Sequence, residues 1–169
     1  LDKVVSPIDT LQAGAQRART LGMEFVHLRI FSVYGAEDRP DSLVRGCIRT
    51  FLSGGDMTLG PADQSWDYLY VSDFASLMTR MAGAERGDGL YNVASGDSRP
   101  LKAFIEEIHA LCGGNGRCLY GKRPERPEGE VWLRPAIDSV YAAFGWKPEI
   151  PFAEGVQQMI ETERKRQAI

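Results

Sequence analysis

The sequence has no long apolar run, no strong net charge and few cysteines or histidines. Its uninterrupted apolar stretches are only a few residues long. A helix needs roughly 20 such residues to cross a bilayer, so no membrane span is expected. A net charge of −3 sets up no field that would gather polyanions, which argues against nucleic acid as a partner. Any phosphate ligand must then be met by individually placed arginines or by helix N-termini. The three cysteines, Cys47, Cys112 and Cys118, are odd in number and lack close-paired spacing. Neither a disulfide framework nor a zinc site is expected, and a reducing cytoplasm fits. Glu106, His109 and Cys112 recur along one helical pattern, but neighbours on a single helix supply too few convergent ligands, and no metal is expected. Gly-x-Ser-x-Gly and His-Glu-x-x-His, two common hydrolase signatures, do not occur. The chain opens on Leu1 with no basic segment leading into an apolar one, so a trimmed start is expected and a secretion signal is not.

What is present suffices for one domain and part of a second: 169 residues, 43% of them apolar. Ser6-Pro7-Ile8-Asp9 supplies a cap, a first-turn proline and an acid, predicting a helix that runs to Leu21 and closes at Gly22. Alternation over residues 24–30 predicts a strand. Asp41-Ser42 caps a helix with Leu43, Val44, Cys47, Ile48, Phe51 and Leu52 on one broad face, stopped by Gly54-Gly55. Short strands are expected at residues 57–59, 68–71 and 90–94, with a Ser72-capped helix after the second of them. Pro100 opens a helix carrying Phe104, Ile105, Ile108 and Leu111, stopped at Gly113-Gly114. A loop over residues 123–129, a strand near 131–133, a short helix holding Val140, Tyr141 and Phe144, and a last helix over 152–165 complete the pattern. The run Glu163-Arg164-Lys165-Arg166 reads as a solvated helix end, where cations complement the helix dipole. Arg45 and Arg49 are expected to face solvent. A helix leading into a strand is the tail of an alternating α/β layer.

Four motifs occur in order: Arg29-Ile30-Phe31-Ser32-Val33-Tyr34-Gly35; Trp66-Asp67-Tyr68-Leu69-Tyr70-Val71-Ser72-Asp73; Leu90-Tyr91-Asn92-Val93-Ala94-Ser95-Gly96; and Phe144-Gly145-Trp146-Lys147-Pro148. Together they resemble the C-terminal half of the extended short-chain dehydrogenases, the NAD-dependent nucleotide-sugar epimerases, dehydratases and reductases. The resemblance runs from about Pro7 to the end. It implies an α/β fold, with residues 1–35 closing a Rossmann-type NAD-binding sheet. Residues 36–169 would form a small α+β nucleotide-sugar-binding portion, of which about 66–98 return to pack on the Rossmann sheet. The ligands it implies are a nucleotide sugar and, in the complete protein, NAD or NADP. The first helix would be the remnant of the family's dimer interface, making the complete protein a homodimer.

The resemblance also assigns site residues. Ile30 and Phe31 would line the nicotinamide side, and Ser32, where asparagine is commonest, would face sugar or phosphate. Ser42 and Leu43 stand at a helix N-terminus suited to a diphosphate, while Met57 and Leu59 lie on the strand that edges the nucleotide base. The family form Gly-x-Gly-x-Gln-x-Arg-Asp-Phe-x-Tyr-Val-x-Asp is matched by residues 60–73, except that Trp66 replaces the arginine that commonly contacts the diphosphate. An indole offers one N–H and a stacking face where guanidinium offers several charged donors. Another arginine could compensate, Trp66 could stack on the ligand, or Trp66 could be buried. Arg126, in a segment resembling Arg-Pro-Gly-Asp-Val with one added residue, is the strongest remaining cation, and Arg123 is the alternative register. No catalytic residue is assigned. The Gly-x-x-Gly-x-x-Gly turn and the Tyr-x-x-x-Lys pair are not among these residues, so an inactive portion of a larger enzyme is expected. A non-catalytic relative that binds a nucleotide or a protein is the alternative.

Overall fold

A computed structural model describes residues 7–85, 87–123 and 132–167. The chain begins with α1 (Pro7–Thr20) and β1 (Val26–Ile30), steps through Phe31, and continues as β2 (Ser32–Tyr34). Next come α2 (Leu43–Leu52), β3 (Met57–Thr58), β4 (Ser65–Trp66), β5 (Tyr68–Tyr70) and α3 (Val71–Ala82). The remainder is β6 (Gly89–Val93), β7 (Arg99–Pro100), α4 (Leu101–Leu111), β8 (Cys118–Leu119), α5 (Asp138–Phe144) and α6 (Phe152–Gln167). The strands form pairs. β1–β6, β2–β5 and β3–β8 are parallel, and β4–β7 is antiparallel.

Two hydrophobic cores lie on either side of the β2–β5 pair. Tyr34, Tyr68 and Tyr70 point into a larger core with Phe51 of α2, Phe104 of α4, and Phe152 and Val156 of α6. Val33 and Leu69, the intervening residues, point the other way and meet Leu77, Val93, Val140 and Trp146. The period-2 alternation of a strand thus divides one short pair between two cores. Aromatic rings fill the larger one edge to face: Tyr68 meets Phe104 at 5.1 Å between centroids, and Phe104 meets Phe152 at 4.7 Å.

Several expectations are corrected. Ser72 does not cap α3: β5 runs straight into the helix, the cap position is Tyr70, and no side chain caps it. Of the strand expected near 131–133, the described residues 132 and 133 are not in a strand. Val131 is outside the described residues, and Leu133 meets Ser65 through one backbone bond and one from the serine hydroxyl, which cannot propagate a ladder. Arg45 is not solvated but 14% exposed against Glu163, and Glu163 is itself buried, because α6 packs on α2 at that point. Ser42 alone caps α2, its hydroxyl accepting the Arg45 N–H at 3.4 Å.

One backbone conformation departs from the ordinary. Ala62 has φ of 62° and is buried. It occupies the second glycine position of the Gly-x-Gly form, and its carbonyl accepts the Lys102 N–H at 2.8 Å at the start of α4. A left-handed non-glycine residue costs about 1–2 kcal/mol, partly offset by the entropy glycine would lose on folding. Ala62→Gly is therefore expected to raise stability by about 0.5–1 kcal/mol. Urea denaturation checks this, and a loss of stability would mean that burial of the methyl outweighs the backbone strain.

Candidate functional site

The parallel β1–β6 pair ends at Ile30 opposite Val93. Ligands of parallel α/β sheets approach at such carboxyl ends. Phe31 donates its N–H to Val93 O at 3.0 Å, and a tight turn closes as Val33 N–H reaches Phe31 O at 3.1 Å. The chain then joins β5, with Ser32 opposite Tyr68. Phe31 therefore marks the step between two strand pairs. Ile30 is 49% exposed, and Phe31 and Ser32 are half-buried. Residues 134–137 cross nearby: Asn92 donates to Ala136 O at 3.1 Å, and Ile137 lies so close to Gly96 that a Cβ there would come within 3.0 Å of it.

Trp66 lies two residues before Tyr68, the strand partner of Ser32, and both residues flanking it are tied down. Ser65 binds Leu133, as described. The fully buried Asp67 accepts the N–H groups of Ser95 at 2.7 Å and Gly96 at 2.9 Å, and the Ser98 hydroxyl at 3.4 Å. Two successive N–H groups form an anion-binding nest, here filled by the chain's own carboxylate. The other acid of the motif works alike: Asp73 accepts the N–H groups of Glu149 at 3.1 Å and Ile150 at 3.0 Å. The Trp66 ring packs against the larger core, and its indole N–H is enclosed with no acceptor among the described residues. Across the β4–β7 pair stands Arg99. That guanidinium is engaged elsewhere, bonded to Glu107 at 2.5 Å, paired with Asp97 at 3.3 Å and stacked 4.1 Å over Phe104.

The remaining predicted residues surround the larger core. Leu59 is buried within it, and Leu43, Met57 and Trp66 pack on its margin. The structure thus gathers these four around one core, while Ile30 and Phe31 belong to neither core. Met57 and Leu59 spend their N–H groups on Arg117 O and Leu119 O, at 2.8 and 3.0 Å. The Leu59 carbonyl accepts the N–H groups of Lys122 and Arg123, so the segment leading to residue 126 leaves from beside Leu59. Arg126 itself lies outside the described residues, and Arg123 is exposed.

Tyr34 is a buried phenol, and the Tyr68 phenol packs on the same core. Burial, then the charges of Tyr70 and Asp73, pushes the Tyr34 phenol far above its usual range, and burial does the same to Tyr68. Tyr34 instead donates to Phe152 O at 3.1 Å and Tyr70 to Gln158 at 3.0 Å, anchoring α6. His109 meets the carbonyls of Asn115 and Gly116 and stands edge-on to Phe51. Among the described residues no group of three or more histidines, cysteines or acids could hold a metal, and no helix is long and apolar enough to cross a membrane. A groove of about 200 Å³ lined by Leu11, Ala15, Arg19, Phe25, Asp88 and Leu90 opens at the opposite end of β1 and β6 and contains none of the candidate residues.

The NAD dependent epimerase/dehydratase family model matches residues 11–94, spanning the first two motifs and most of the third. The chain belongs to this family. Among curated relatives, the dTDP-4-dehydro-6-deoxyglucose reductase of Escherichia coli is 26% identical over 152 residues, covering 87% of this chain and 47% of the relative. The fold is that of UDP-glucose 4-epimerase from Thermotoga maritima, solved with UDP-glucose: TM-score 0.84, 22% identity, 95% of this chain and 52% of that one. RMD from Pseudomonas aeruginosa, solved with NADPH, matches with TM-score 0.81 and 20% identity over 94% of this chain and 55% of that one. The chain thus spans about half the length of the proteins it matches. Asp67, Asp73 and Glu163 were not legible as structural acids from the sequence. Asp67 and Asp73 stood inside a recognised motif, but nothing local reveals the distant N–H groups they accept.

Proposed function

We propose that this chain forms the nucleotide-sugar-binding portion of an NAD(P)-dependent epimerase, dehydratase or reductase. The observation that carries the proposal is the step at Phe31, where the carboxyl end of the β1–β6 pair passes directly into the β2–β5 pair. In this reading Ile30 and Phe31 offer apolar surface to the nicotinamide end of the dinucleotide and Ser32 offers a hydroxyl to the sugar. Trp66, Ser42 and Leu43 flank the diphosphate, and the edge of Met57–Leu59 receives the base. The boundary near residue 35 and the return of about residues 66–98 to the dinucleotide sheet belong to the same proposal, supported by the place of β6 beside β1. So does a homodimer formed through α1.

The residues present suit one end of NAD or NADP only. Half-exposed Ile30 and adjacent Phe31 fit a flat aromatic ring, whereas the glycine turn for the pyrophosphate is not among these residues. The dinucleotide supplies hydride transfer when bound. This chain's residues orient the sugar and exclude water. With Trp66 in the usual arginine position and Arg99 engaged, we assign the diphosphate charge to Arg126.

The complete polypeptide, titrated with a panel of nucleotide sugars in the presence of NAD or NADP, is expected to bind and turn over one of them, and residues 1–169 alone none. Indole emission should change on binding, and Trp66→Phe should remove most of that change. A charge-assisted arginine contact contributes roughly 1.5–3 kcal/mol, so Arg126→Ala should weaken binding by about one to two decades. Turnover by residues 1–169 alone, or no binding by the complete polypeptide, would sink the reading; the latter result favours a protein-binding relative. Loss on Arg123→Ala in place of Arg126→Ala would correct the register of the loop.

A further inference from the structure

The segment joining β2 to α2 is held by two arginines that share one buried carboxylate. Glu163 of α6, 6% exposed at its side chain, accepts Arg45 Nε at 2.7 Å and Arg166 Nη1 at 3.0 Å. Arg45 Nη1 also donates to Asp38 O at 2.6 Å. Arg166 donates to Ala36 O at 3.0 Å through Nη1 and to the Glu37 carboxylate at 2.6 Å through Nη2. The carbonyls of a surface connection ordinarily turn to water. Here two of them, two residues apart, turn inward to guanidinium groups whose charge is balanced on a third element. The segment makes its own turns as well, with Asp38 N–H reaching Gly35 O and Ser42 N–H reaching Arg39 O, each at 3.0 Å.

We infer that Glu163 is a positioning residue for nucleotide-sugar binding, holding the 36–42 connection in its ligand-receiving form through Arg45 and Arg166. The inference rests on the reading above that Ser32, at the start of β2, and Ser42, at the far end of this connection, face the ligand. Without Glu163, Arg45 has no carboxylate partner among the described residues, and Arg166 keeps only the exposed Glu37. A buried charge left without its partner is driven to reorient toward water, and the carbonyl it held is released with it. The fold itself does not depend on the connection, because α6 is also fixed by Tyr34, Tyr70 and the apolar face of Phe152, Val156 and Met159. The ligand site is affected through geometry, and no reacting atom is touched.

The test uses the complete polypeptide with Glu163→Gln and, as a second variant, Arg45→Lys, in which one ammonium cannot span both Glu163 and Asp38 O. Amide hydrogen exchange is expected to speed up about tenfold over residues 36–42 and to stay unchanged in α4 and β6. In the turnover assay the KM for the nucleotide sugar should rise about tenfold with kcat within about twofold and the dinucleotide Kd unchanged, the pattern of lost ligand binding. Unchanged exchange at 36–42 overturns the clamp. Faster local exchange with an unchanged KM overturns the positioning role. Faster exchange throughout, with kcat and KM both impaired, would make Glu163 a general stabiliser and overturn the inference. If the complete polypeptide binds no nucleotide sugar at all, the functional reading fails and this inference with it, while the exchange data still report separately on the clamp.

Discussion

Replacing Asp67 with alanine is expected to lower the unfolding midpoint by about 10 °C, or roughly 4 kcal/mol for a chain of this size. The carboxylate is fully buried and accepts three bonds from the 95–98 loop, two of them from adjacent backbone N–H groups. Alanine would leave both N–H groups enclosed without acceptors, and each such group costs about 1–3 kcal/mol. Asp67→Asn is a sharper test. An amide keeps one acceptor oxygen but turns an NH₂ toward a backbone N–H, setting donor against donor, so about 3 kcal/mol should still be lost. Urea denaturation of both variants measures the effect, and amide exchange should show Ser95 and Gly96 exposed first. A loss below about 1 kcal/mol in either variant would mean that water replaces the carboxylate or that the loop contributes nothing to stability.

Gly155→Ala is the second large effect. A Cβ at this position would overlap the Tyr34 hydroxyl and come within 2.7 Å of Tyr70 Cδ2. Overpacking of this kind costs about 1–3 kcal/mol. In an unobstructed helix the same change gains about 1 kcal/mol, so the sign of the result is itself informative. Both tyrosines are held by α6, and neither ring can retreat without losing its bond to Phe152 O or Gln158. A loss of about 2 kcal/mol is expected in urea. Tyr34→Phe removes the atom in collision, so the double variant should be less destabilised than the sum of the two single ones. Strict additivity, or a stabilised Gly155→Ala, would show that α6 can shift outward at no cost.

What could be read from the sequence follows from how local each signal is. The apolar faces of α2 and α4 and the serine cap at Ser42 depend on residues within a few positions, and those helices stand where periodicity places them. The pairing of β4 with β7, 33 residues away in register at Trp66 and Arg99, depends on chain closure that no local pattern encodes. Charge was misread for the same reason. Glu163 and Arg45 look like surface residues on amphipathic helices until α6 is laid against α2, 118 positions apart in the chain. Ser72 resembles a cap in sequence, but β5 feeds straight into α3, which puts Ser72 inside the helix and Tyr70 at the cap position. Of the candidate site, motif form alone nominates Phe31 and Ser32, whereas the acids that shape the neighbouring loops are hidden by the distance to their partners.

The seam formed by β2 and β5 has a mechanical consequence. Tyr68 and Tyr70 belong to one interior and Leu69 to the other. A slip of one residue would therefore thrust Tyr68 and Tyr70 into the smaller interior and Leu69 into the larger one at the same time. Such a seam can neither slide nor shear by small steps, since each step would spoil both interiors together. In the proposed ligand-binding role, any closing movement would fall to the connections flanking this seam, with the strands as a fixed anvil.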